Sequence, residues 1–77
     1  MNEKFSELQL EIGKLRKEAE SYDTSADLCR IAYDLGKVTE KINTLWLLNQ
    51  INAPAHTVLM GRIGNAMMYI RRKEVRE

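Results

Sequence analysis

The chain has 77 residues, is 44% hydrophobic and 30% charged, and sets twelve Lys and Arg against eleven Asp and Glu for a net charge of +1. This balance excludes an intrinsically disordered chain, and one Cys with one His excludes both an internal disulfide and a four-ligand zinc site. No apolar run approaches the roughly 20 residues of a membrane span, and Met1–Lys4 begins no signal peptide, so a small cytoplasmic domain with no cofactor and no membrane contact is expected.

The first helix is predicted over residues 3–21. Phe5, Leu8, Ile12, Leu15, Ala19 and Tyr22 recur at spacings of 3, 4, 3, 4 and 3. That heptad pattern keeps one seam turned to a partner helix. Charged residues fill the other face, and Leu10 lies off the seam as a second contact point. Ser21–Ser25 breaks the helix, because these side chains compete for backbone hydrogen bonds. Thr24 followed by Asp27 reads as a variant capping box for the next helix.

A second helix is predicted over 25–50. Leu28, Ile31, Leu35, Val38, Ile42 and Leu45 repeat the same spacings. Cys29, beside the seam, reads as a small buried residue. Leu45, Trp46, Leu47, Leu48 and Ile51 make the end of this helix apolar nearly all round. A helix apolar on every side is buried on every side, so this stretch is the predicted subunit interface, with Met68 as a further member. Asn49–Pro54 ends the helix, since Pro54 disfavours helical backbone at Ala53.

A third helix is predicted over 54–75, with Met60, Ile63, Met67 and Ile70 as its seam. Its last turns hold Arg71, Arg72, Lys73 and Arg76. Residues 53–77 carry a net charge of +3, against −1 for each of 1–21 and 22–52. The cations suit the negative end of the helix dipole. Alternatively, Tyr69 with Arg71, Arg72, Lys73 and Arg76 would stack on a base and hold phosphate, an anion or nucleic-acid contact.

Two local patterns resemble nucleic-acid-binding motifs. Ala32, Gly36, Ile42 and Leu45 resemble the helix-turn-helix signature of bacterial and phage DNA-binding proteins. The resemblance implies a turn at Gly36 and a recognition helix from Thr39 to Gln50. Lys37 stands where that signature has an apolar residue, and the implied recognition helix holds a single cation. The same positions also fit one uninterrupted helix, in which Gly36 marks a close helix crossing. Gly61-Arg62-Ile63-Gly64 resembles the Gly-x-x-Gly loop of the KH RNA-binding module. That module needs strands, which this sequence lacks. The pair reads instead as small residues admitting another helix.

The predicted fold is therefore all-α, a single domain of three helices in an antiparallel hairpin or bundle. The helices span about 28, 39 and 33 Å. A domain of this size has a marginal core, so completion by self-association is expected. His56 has no nucleophile or orienting group to serve as a catalytic base, and no other catalytic constellation can be assembled. A non-catalytic interaction module is expected, one that self-associates and regulates, inhibits or scaffolds a larger protein partner. The alternatives are a helix-turn-helix regulator and an oligomeric binder of an anionic nucleotide.

Overall fold

Heptad seams on short segments demand partner helices, and here each segment finds its partners in the same chain. The computed structural model describes residues 3–75 as three helices, α1 (Glu3–Ser21), α2 (Ser25–Leu47) and α3 (Ala53–Val75). Each packs on the other two. The result is an all-α three-helix bundle, 41 Å long and 17 × 16 Å across. None of the helices is long and apolar enough to cross a membrane.

The α1 seam buries Leu8, Ile12, Leu15 and Ala19, with Phe5 packed at its start. The α2 seam buries Leu28, Ile31, Leu35, Val38 and Ile42, with Leu45 at its edge. Tyr22, the last member of the predicted α1 seam, is exposed because it follows the helix end. Ion pairs set the direction of the helices. Glu18 meets Arg30 at 3.3 Å and Glu11 meets Lys41 at 3.4 Å, so α1 and α2 run antiparallel. At exposed positions such pairs set register more than stability. The Arg30 guanidinium pKa is raised further, first by its hydrogen bond to Glu18.

The α2 start is built as the sequence implies. Thr24 Oγ1 accepts from the Asp27 N–H at 3.3 Å and donates to the Asp27 carboxylate at 2.7 Å. The α2 end is shorter than predicted, at Leu47 rather than residue 50. Leu48 caps it and Asn49 takes a left-handed φ of 58°. The Gln50 N–H donates to Leu45 O at 2.8 Å and the Asn49 N–H to Trp46 O at 3.1 Å. These two bonds form a Schellman motif, which satisfies carbonyls left over at a helix end. Three residues later Asn52 Oδ1 accepts the Ala55 N–H at 2.9 Å and starts α3.

Four expectations are corrected. The α3 seam is Leu59, Ile63, Ala66 and Ile70, whereas Met60 is half-buried and Met67 exposed. Leu59 and Ala66 share the 4-3-4 spacing with Ile63 and Ile70, and the small Ala66 lets α3 sit close to its neighbours. Helix α2 continues through Gly36 and Lys37 without a break, so the turn of a helix-turn-helix is missing. Neither Gly36 nor Gly61 and Gly64 marks a close crossing: all three are exposed, and an added Cβ would meet nothing within 4 Å. Cys29 is exposed as well, since it points off the α2 seam.

Candidate interaction surface

The α2–α3 connection folds the chain back within five residues, and its two caps satisfy backbone groups at both helix ends. At this end Trp46 stacks on His56, centroid to centroid at 4.9 Å and 26° between planes. His56 Nε2 also lies 2.9 Å from Asn43 Oδ1. The ring of Trp46 is thereby held against α3 and remains 38% exposed.

Leu47 and Leu48 have no such cover. They are 79% and 63% exposed. On a helix whose seam runs through Ile42 and Leu45, residue 47 turns outward. Leu48 follows at the cap, where the chain leaves the helix. Ile51, predicted at the interface, instead lies in the core at 5% exposure. The Schellman turn reverses the chain between Leu48 and Ile51, and this reversal sends Ile51 inward. Leu45 is half-buried, and Met68 is exposed on the outer side of α3.

At the same end of the bundle lies a groove of about 670 Å³. Phe5 of α1, Ile51, Pro54 and Val58 give its apolar surface, and Asn49, Gln50 and Asn52 supply amides. A second groove of about 530 Å³ runs between α1 and α2, lined by Leu8, Leu10 and Leu45 with Lys and Glu side chains along its rim. Leu10 on its edge is exposed.

The α2–α3 segment at this end carries no formal charge of its own, although Lys4 of α1 reaches it and donates to Gln50 Oε1 at 2.6 Å. Between Lys41 and Arg62 there is no Lys, Arg, Asp or Glu. In a chain that is 30% charged, this uncharged run coincides with the tip that presents Leu47, Leu48 and Val58. Val58 escapes a reading based on seams alone. The absence of charge over residues 42–61 is the signal that would have drawn attention to the groove.

No family model, curated protein or solved structure matches this chain. The surface must therefore be read from its own chemistry.

The opposite end of the bundle collects the predicted anion-binding residues, but two of them have internal partners. Lys73 Nζ donates to Ala19 O at 2.6 Å, Tyr22 O at 2.8 Å and Glu20 O at 3.1 Å, and lies 3.1 Å from the Asp23 carboxylate. Its ammonium closes the C-terminal turn of α1, where carbonyls lack helical partners and the dipole is negative. Tyr69 is half-buried, and the Arg16 guanidinium covers its ring at 4.3 Å. That face is taken by a cation–π contact and is closed to a stacking base. Arg71 and Arg72 are exposed on α3, and Arg76 lies outside the described residues. Among the described residues, no group of three His, Cys, Asp or Glu could hold a metal ion.

Proposed function

We propose that this protein is a non-catalytic helical interaction module that self-associates through the end where α2 joins α3 and regulates, inhibits or scaffolds a larger protein partner. One observation carries the reading. Leu47 and Leu48 project from a capped helix end and are largely uncovered by the described residues. Each would gain roughly 1.5–3 kcal/mol from full burial, and contact with another molecule recovers part of that. Trp46 beside them adds a large aromatic surface of the kind enriched at binding hot spots.

Sedimentation equilibrium on the purified protein from about 10 µM to about 1 mM tests the reading, a range that covers weak to moderate pairing. The apparent mass should rise above the 8.9 kDa of one chain. A mass that stays monomeric across the range would overturn it.

A further inference from the structure

The C-terminal turn of α1 gathers oxygens and supplies no cation of its own. Its last turn contains no basic residue, and residues 18–29 carry Glu18, Glu20, Asp23 and Asp27 without a Lys or Arg. Four oxygens of this segment converge on one positive centre. Ala19 O, Tyr22 O, Glu20 O and an Asp23 carboxylate oxygen lie 2.6, 2.8, 3.1 and 3.1 Å from Lys73 Nζ, which arrives from α3. We infer that residues 19–23 form a binding site for a monovalent cation of ammonium size, and that Lys73 is the occupant the chain itself places there.

Charge and size select this class of ligand. One carboxylate among three neutral carbonyls balances a single positive charge. Mg²⁺ takes oxygens at about 2.0–2.1 Å, and Ca²⁺ takes about six to eight of them at about 2.3–2.6 Å. Four oxygens at 2.6–3.1 Å are too few and too distant for either. A lysine ammonium has three protons for these four oxygens, so the site holds its occupant by charge as well as by hydrogen bonds. The carbonyls stand at a helix end, where they lack helical partners and the dipole is negative. They keep that attraction for a cation when Lys73 is removed. The Asp23 side chain is 83% exposed, so an ion has a way in from solvent. Primary alkylammonium, ammonium and potassium ions meet these conditions. Choline does not, since it has no N–H and methyl groups surround its charge.

Lys73→Ala empties the site. In the wild type the packing of α3 on α1 holds Lys73 in place, so the wild type sets the baseline for general salt effects. The urea midpoint of Lys73→Ala should rise in methylammonium or potassium chloride relative to choline chloride at equal ionic strength, and by more than the wild type responds. An ion at ten times its dissociation constant raises the folded-to-unfolded ratio about elevenfold. Backbone amide shifts of residues 19–24 should move as the ion is added to Lys73→Ala, and Asp23→Asn in the same chain should weaken the response. Lys73→Met, which keeps most of the stem, repeats the test. If either variant is unfolded in choline chloride, the ion should restore its helicity by circular dichroism. A response no larger than that of the wild type, or an unfolded variant that no ion restores, overturns the site. So does a rescue that survives Asp23→Asn in full, or one in which Ca²⁺ matches potassium. None of these results bears on self-association.

Discussion

Replacing Lys73 by Met keeps most of the side-chain length and removes the ammonium that joins α3 to the end of α1. A hydrogen bond to a charged group contributes about 1.5–3 kcal/mol net. Of the three carbonyls that Lys73 holds, only that of Ala19 takes part in a partly buried bond. Those of Glu20 and Tyr22 are bonded at exposed positions and can turn to water instead. The loss is therefore close to one charged hydrogen bond with a small dipole contribution of about 0.3–1 kcal/mol, together about 2–4 kcal/mol. For a domain this small, whose core supplies only about 3–5 kcal/mol, that is a large share of the stability. Urea unfolding followed by circular dichroism should show the midpoint falling with an unchanged slope. Arg71→Met serves as the control, because Arg71 is exposed on the same helix; it should stay within about 0.5 kcal/mol of wild type. If the two variants lose equal stability, the Lys73 contacts contribute nothing and the reasoning fails.

Further outcomes follow from single positions. Gly61→Ala and Gly64→Ala should each stabilise the protein by up to about 1 kcal/mol in thermal or urea unfolding, since Ala is the better helix former and the added Cβ meets nothing. At Asn49, whose φ is 58°, substitution by Ala should cost about 1–2 kcal/mol in the same unfolding measurement, while Gly is tolerated. Ile51→Ala should cost about 2–5 kcal/mol by urea unfolding, as for other buried aliphatic truncations; a loss below 0.5 kcal/mol, the level of a surface change, would place Ile51 outside the core. His56→Ala removes the ring stacked on Trp46, so the tryptophan emission should shift to longer wavelength, and an unchanged spectrum would mean the stack is absent in solution.

The fold was legible because two of the three seams are unambiguous. In α1 and α2 the residues between seam positions are mostly polar, so only one heptad frame buries the apolar set. In α3 Leu59 and Met60 are adjacent, as are Ala66 and Met67, and apolarity alone does not choose between the two frames. Packing chooses it, by putting the compact Ala66 inside and the flexible Met67 outside. The end of α2 lies three residues before the expected residue 50 for a similar reason. Nothing in the spacing separates a continuing helix from a left-handed Asn49, although that one backbone conformation decides that Ile51 enters the core and Leu48 does not. The basic end was legible as charge but not as purpose. Lys73 finds its partners on residues 19–23, and no local pattern relates segments that far apart.

That separation has a kinetic consequence. The contacts of Lys73 join residues 51–54 positions apart, whereas helical bundles owe their fast folding to contacts close in sequence. The clasp can close only after α2 has brought α1 and α3 side by side, since the intervening loop must first lose its entropy. It belongs to the last stage of folding, so its removal should accelerate unfolding and leave the folding rate nearly unchanged. Lys73 thus controls how long a folded molecule survives, while the seams of α1 and α2 control how quickly one forms.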